Sequence, residues 1–401
     1  MAKILILTQF FPPETNAAAN RIGAMADVLA RKHKVEIITL NPSYPSPHYF
    51  SSKTPLRSKK PYLVNRWFSF YPHQSNLFVR GLSELLMSFR LAKLIVRRNP
   101  NLIIVSTPSM FLAPIVWSLS KFKSVRLVWD VRDITWRYIT DSTGDSACKR
   151  LLESYLEKVM RSILVRTDLV IGATPGVTKI LVEEHGVLPH KIITVVNGAS
   201  KEFLDRFREL EHTNSKSSPI VSYVGLFGYN HGISILIDVA KELPGIQFVM
   251  VGDGPEYLAI ENRIRDEKLG NISLLGYVTE REKLIDIYRK SDILISHIKN
   301  TLIMNETAIP AKLFEYMATG KPIVCAERGL AEKFLDDIGC AVIVPPEDPK
   351  AMISAIKNLV MDRDKMRRLG INGRLFVEAN YQREKIMEQL LCELESRFSL
   401  K

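Results

Sequence analysis

At 401 residues the chain is long for one hydrophobic core and suits two domains. A 46% hydrophobic and 24% charged composition is that of a soluble globular protein, and no run reaches the roughly 20 apolar residues that span a bilayer. The net charge of +12 is uneven: residues 1–200 hold 27 Lys and Arg against 13 Asp and Glu, residues 201–401 hold 28 against 30. The first half therefore suits an anionic partner or is simply well solvated. It carries no recognisable nucleic-acid reader, which disfavours nucleic acid. Cys148, Cys325, Cys340 and Cys392 lack metal-ligand spacing, and no secretory signal precedes them. They read as reduced thiols of a cytoplasmic protein, with no metal and no cofactor expected.

KILILT (3–8) reads as a buried strand, followed by the loop QFFPPETNAAAN and a helix through Ile22, Met25 and Leu29. Strand, loop and helix open a doubly wound α/β domain. No G-x-G-x-x-G follows the strand, so a dinucleotide dehydrogenase is disfavoured. VEIITL (35–40) is a second strand, and residues 41–62, Pro/Ser-rich and basic, a long surface loop. The stretch 77–98 predicts an amphipathic helix. It mixes Leu82, Leu85, Leu86, Phe89, Leu91, Leu94 and Ile95 with Arg80, Arg90, Lys93, Arg97 and Arg98. It packs on the sheet, meets a membrane interface, or does both in part. LIIVST (102–107) and VRLVWDVRD (125–133) are strands. The latter delivers Arg132 and Asp133 to a strand's C-terminal end, where α/β sheets bind ligands. A surface Asp–Arg pair is the plain alternative. A basic helix at 147–166, a strand at 168–174 and KIITVVNGAS (191–200) close the first half, and the polar stretch 205–218 reads as the linker.

The pattern then restarts. IVSYVG (220–225) is a strand leading into LFGYNHG, whose Gly225, Gly228 and Gly232 suit a phosphate-binding loop. FVMVGDGP, ISLLGYV, DILISH and AVIVPPED each read as a strand running into a loop. Residues 309–324, IPAKLFEYMATGKPIV, are the most informative. Pro310 can start a helix, Leu313, Phe314, Tyr316 and Met317 keep helical spacing, and Gly320 with Pro322 ends it. Glu315 lies among these apolar neighbours, and a buried carboxylate needs partners such as ribose hydroxyls. The helix start with Lys312 suits a diphosphate. An ordinary amphipathic helix with solvated Glu and Lys is the competing reading.

The run 309–324 resembles the signature of retaining glycosyltransferase family four. The resemblance covers nearly the full chain and is most specific there. It implies a GT-B fold, with two doubly wound Rossmann-like domains facing across a cleft. Residues 1–204 would bind the acceptor, with 376–401 crossing back to them, and 219–375 would bind a nucleotide-sugar, here expected to be a UDP-sugar. It implies that Glu315 binds the donor ribose. Pro310, Ala311 and Lys312, with Gly225, Gly228 and His231, would hold the diphosphate. Gly252 would line the donor site, and Tyr277 and Val278 would meet the base. The family's second Glu, eight positions before the first, is replaced by Thr307, with Glu306 one place off. Its diphosphate-gripping Arg and Lys are replaced by Leu226 and His231. The Gly pair of the first loop gives way to Asn16-Ala17-Ala18, which with Arg21 forms the expected acceptor-side loop. Val131-Arg132-Asp133 stands where many members read Val-His-Asp, as in the bacterial fucosamine-transferase-like branch of surface-polysaccharide synthesis. Arg132 and Asp133 are the expected catalytic residues.

The resemblance implies metal-independent transfer with retention, by front-face displacement, in which the leaving diphosphate takes the acceptor proton. Enzyme action then rests on positioning and charge stabilisation. A polyprenyl-diphosphate-linked or glycan acceptor at an anionic inner membrane face fits the basic first half. Two other readings stay open: a sugar-nucleotide epimerase of the same fold, and a non-catalytic nucleotide-sugar-binding membrane scaffold.

Overall fold

The computed structural model describes residues 1–44, 46, 49–50, 60–67, 77–96, 98–107, 111–137, 147–208 and 218–400. Of the basic loop, Lys53, Arg57 and Lys59 lie outside these, as does Arg97. The chain divides into two compact units, Met1–Asn197 with Glu384–Lys401, and Gly198–Arg383.

The first unit holds seven strands: β1 (Lys3–Leu7), β2 (Lys34–Leu40), β3 (Leu63–Trp67), β4 (Leu102–Ser106), β5 (Arg126–Val131), β6 (Leu169–Gly172) and β7 (Ile192–Thr194). They lie in the order β3-β2-β1-β4-β5-β6-β7, and every pairing is parallel. A parallel sheet must be covered on both faces, so its strands read as continuous apolar runs. Alternate residues divide accordingly. Leu5, Leu7, Ile103, Val105, Leu127 and Trp129 enter one core, while Ile4, Ile6, Leu102, Ile104 and Val128 enter the other. β3 was not expected. It is an edge strand with exposed Leu63 and Trp67, so it lacks the apolar run that betrays the central strands.

The helix Leu77–Val96 turns Met87, Leu91, Ala92 and Ile95 into the core, while Leu82, Leu86 and Phe89 stay exposed beside Arg90 and Lys93. Among the described residues no helix is long and apolar enough to cross a membrane.

The second unit repeats the design with β8 (Ile220–Val224), β9 (Gln247–Val251), β10 (Ile272–Leu274), β11 (Ile293–His297), β12 (Ile323–Ala326) and β13 (Ala341–Ile343). The order is β10-β9-β8-β11-β12-β13, again parallel throughout. The helix Lys201–Arg206, which begins before the expected linker, belongs to this unit: Phe203 and Phe207 pack on Tyr288. Apolar anchors inside a polar, aperiodic stretch hid it, so the unit starts at Gly198.

The helix Arg383–Phe398 places Met387, Leu390, Leu391 and Leu394 in the first unit's core beside Ile4, Ile6, Ile22 and Met25. Arg31–Glu388 and Lys32–Glu395 pairs flank that contact at 2.5 and 2.9 Å. The preceding helix, Arg363–Asn380, stays with the second unit.

Candidate functional site

In each sheet the strand order reverses beside the first-formed strand, and ligands of such folds bind beyond the strands' C-terminal ends at that switch point. In the second unit the switch lies between β8 and β11. β8 runs into Gly225–Gly232, β9 into Gly252, β11 into Ile298–Thr301, and β12 into Glu327.

The glycines have steric work to do. Gly252 has φ +147°, and a Cβ there would sit 1.8 Å from the Gly225 carbonyl oxygen. The two turns therefore touch through backbone alone, joined by Gly225 N–H donating to Val251 O at 2.9 Å. Gly252 N–H donates to Gly276 O at 2.9 Å, which brings the loop carrying Tyr277 and Val278 to the same end of the sheet. Gly232 has φ +54° and lies against the Lys299 and His297 side chains.

The helix Ala311–Ala318 begins at this end with Pro310 as its N-cap and no side chain capping it. Gly320, at φ +69°, terminates it in the left-handed conformation expected of it. Tyr316 Oη fastens the helix to β8: it accepts from Val224 N–H and donates to Val224 O, both at 3.0 Å. Lys312 on the first turn lays its ammonium over the Tyr223 ring, 4.4 Å from the centroid. Its Nζ is out of solvent and has no hydrogen-bond partner. Burial pulls the amine down to about 8, against the pull of nearby Glu327. Glu327 is itself buried, accepts a bond from Ser296 Oγ, and is raised above the usual carboxylate range by burial.

His231 faces Lys312 from the glycine loop. Its Nδ1 is also buried without a partner. Burial, then Lys312 and His297, lower the imidazole to about 3. His297, wholly buried, braces the loop: Glu347 N–H donates to its Nε2 at 3.1 Å, so Nδ1 carries the proton and donates to His231 O at 2.5 Å. An orphaned ammonium and an orphaned imidazole nitrogen beside a glycine-lined turn are what an anion would satisfy.

The remaining expected donor residues fall differently. Glu315 is half-buried, its carboxyl raised by burial against the pull of Arg383, which lies 3.8 Å away. Thr307 is buried in the short helix Leu302–Thr307, its hydroxyl donating to Ile303 O, while Glu306 points outward. Ser296, His297 and Glu327 escaped the sequence reading: they end apolar strands and looked like core punctuation. Asp362-Arg363-Asp364, an Asp-x-Asp by sequence, is a helix start in which Asp362 accepts from Lys365 N–H at 2.9 Å. Among the described residues no three His, Cys, Asp or Glu side chains converge as metal ligands would.

At the C-terminal end of the first unit's sheet, Arg132 donates from its backbone N–H to Thr107 Oγ1 at 3.2 Å, and its guanidinium lies 3.9 Å from Asp133. Arg132 is largely enclosed and Asp133 more open, with side-chain exposures of 15% and 43%. Asn16 caps the helix Ala17–Leu29 by accepting from Ala19 N–H at 2.8 Å, so Ala17 is the first helical residue rather than a loop residue. Arg21 also sits on this helix, not in the loop. Its guanidinium is fully enclosed against Asp130 at 2.8 Å, and Ser106 Oγ donates to the same carboxylate at 2.8 Å. Those contacts give it a place in the core. Glu14, unremarked in the sequence, accepts from the N–H groups of Phe11, Ser43 and Tyr44 at 3.0–3.1 Å and pins two loops together.

Twin parallel doubly wound units, the second with a glycine-lined, cation-bearing switch point, make up the GT-B fold. Residues 16–198 match the family model described as glycosyl transferase 4-like domain, and residues 205–376 match glycosyl transferases group 1. Each half of the chain thus matches a glycosyltransferase domain model. It is 25% identical to O-antigen chain mannosyltransferase C of Escherichia coli over 41% of this chain and 43% of that one. It is 23% identical to the putative colanic acid biosynthesis glycosyl transferase WcaI of Escherichia coli K12 over 98% and 99% of the two chains. The chain spans about half the length of the first curated relatives it matches, WcaI being matched throughout. The fold is also that of Anabaena HepE, crystallised with UDP and glucose: TM-score 0.69, 17% identity, 99% and 100% of the two chains covered.

Proposed function

We propose that the chain transfers a sugar from a nucleoside-diphosphate donor to an acceptor of surface-polysaccharide assembly, with retention of configuration. The observation that carries this is Lys312: a buried, unpartnered ammonium on the first turn of a helix, facing a glycine-lined loop. Such a cation suits the charge that builds on a departing diphosphate. Glu315 would take the ribose hydroxyls, and Tyr277 and Val278 the base. Gly225, Gly228 and Gly252 admit phosphates close to the backbone. HepE, a fold neighbour, was crystallised in complex with UDP, which supports a UDP-sugar as the donor. Two of the relatives are named for O-antigen and colanic acid synthesis, which supports a polysaccharide acceptor.

In this reading Arg132 and Asp133 of the first unit act on the donor sugar and the attacking hydroxyl. The acceptor proton leaves with the diphosphate, so catalysis depends on alignment and leaving-group stabilisation and needs no bound metal. The fucosamine-transferase-like branch fits Arg132 in place of His. A lipid-linked acceptor fits the first unit, where exposed Leu82, Leu86 and Phe89 adjoin exposed Arg90 and Lys93. An apolar stripe edged with cations suits peripheral attachment to an anionic bilayer. A screen of UDP-, GDP- and ADP-sugars, read by thermal shift and by hydrolysis, tests the core of the reading. Stabilisation by one nucleotide series is expected, and stabilisation by none would refute it.

A further inference from the structure

An ammonium and an imidazole nitrogen, both without hydrogen-bond partners, meet at one loop. Lys312 Nζ and His231 Nδ1 are both out of solvent and both unbonded. We propose that His231 makes diphosphate binding at the Gly225–Gly232 loop proton-linked: the ligand is held by a protonated imidazole beside Lys312, and the ligand-free protein does not carry that proton. This rests on the donor reading above and adds to it a coupling to pH.

The surroundings of His231 set the direction. Lys312 from the helix Ala311–Ala318 and His297 from β11 both act against a positive imidazole, after burial itself. Lys299 stands behind Gly232. The nearby carboxylates act elsewhere: Glu327 on Lys312, Glu347 on His297, and Glu256 with Lys299. The imidazole is therefore neutral at neutral pH in the free protein, at about 3. The backbone at His231 is held in place, its carbonyl by His297 Nδ1 and its N–H by Gly228 O at 2.8 Å. A diphosphate reverses the local field, because it brings negative charge against the Lys312 ammonium and the imidazole at once. His231 then gains a proton on binding. A group that binds a proton only in the complex makes affinity highest at low pH. Affinity then falls as pH rises through the complexed imidazole's own titration, by at most about tenfold per pH unit. Lys312, at about 8, is largely charged at neutrality and adds uptake chiefly above that pH.

Isothermal calorimetry of the full chain with UDP and with inorganic pyrophosphate tests this, run at about pH 6.5 in buffers of different ionisation enthalpy. Wild type is expected to take up protons, and His231→Gln to lose most of that uptake. The difference between them removes the ligand's own phosphate titration. His231→Arg, whose guanidinium stays charged, should bind with no more uptake than His231→Gln and keep its affinity as pH is raised to about 7.5; it decides the question if the Gln variant fails to fold. Wild-type binding with no more uptake than His231→Gln, or undiminished uptake in His231→Arg, overturns the proton link and leaves the nucleotide reading standing. No binding of either probe overturns both.

Discussion

Lys312 should weaken the fold that carries it. Its amine titrates at about 8 rather than at the ordinary 10.5, because burial outweighs the attraction of Glu327. At about 1.4 kcal/mol per factor of ten, the charged form costs the folded state about 3 kcal/mol below pH 8. The sign follows from proton binding. Between pH 8 and 10.5 the unfolded chain holds the proton more tightly, so stability rises with pH across that window and is level on either side. Lys312→Met keeps the stem over Tyr223 and removes the charge. Glu327 then loses its neighbouring cation but keeps the bond from Ser296. The net gain should be about 1–2 kcal/mol at neutral pH. Urea unfolding followed by circular dichroism at about pH 7 and about pH 10 measures it. The variant should be the more stable at the lower pH, with the difference closing at the higher, while its affinity for UDP falls. A variant less stable than wild type at neutrality, or a gain that ignores pH, would refute the account of Lys312 as an unpaired buried cation.

Glu315→Gln should keep the fold and weaken nucleotide binding by about 1–3 kcal/mol in calorimetry, the scale of hydrogen bonds to a charged group; unchanged affinity removes the ribose role. Asp133→Asn should cut turnover while nucleotide affinity, assigned by the proposal to the second unit, stays nearly constant; equal loss of both points to a structural role. Replacing Leu82, Leu86 and Phe89 together with Ser should abolish sedimentation with anionic liposomes at low salt while circular dichroism stays native. Neutralising Arg90 and Lys93 should make binding weaker and less salt-sensitive, each charge being worth about 1 kcal/mol near such a surface. Undiminished binding by both variants would favour a soluble acceptor.

Much of the architecture is legible in the sequence because parallel strands buried on both faces must be unbroken apolar runs. KILILT, IVSYVG and DILISH announce themselves in that way. The helix carrying Lys312 and Glu315 is legible for a different reason: Pro310 and Gly320 bracket it chemically. What stays hidden is whatever depends on a partner distant in sequence. His297 reads as the end of a strand until the His231 carbonyl and the Glu347 amide are seen on its two nitrogens. Arg21 reads as part of an acceptor-side loop until Asp130, far along the chain, is seen to enclose it. β3 has no apolar signal because an edge needs none.

The helix Arg383–Phe398 bears on the order in which the protein can be made. Four of its side chains belong to the core of the unit whose strands come earlier in the chain. Until Leu394 has emerged, Ile4, Ile6 and Ile22 lack part of their cover, and that apolar surface waits exposed. The Gly198–Arg383 unit has no such debt. Its two ends are stitched to each other, with Ala199 N–H donating to Tyr381 O at 3.0 Å and Arg383 N–H to Ala199 O at 2.8 Å. The unit started first is thus completed last. Trimming residues from Glu384 onward should damage the amino-terminal half of the protein and leave the half beside the cut intact.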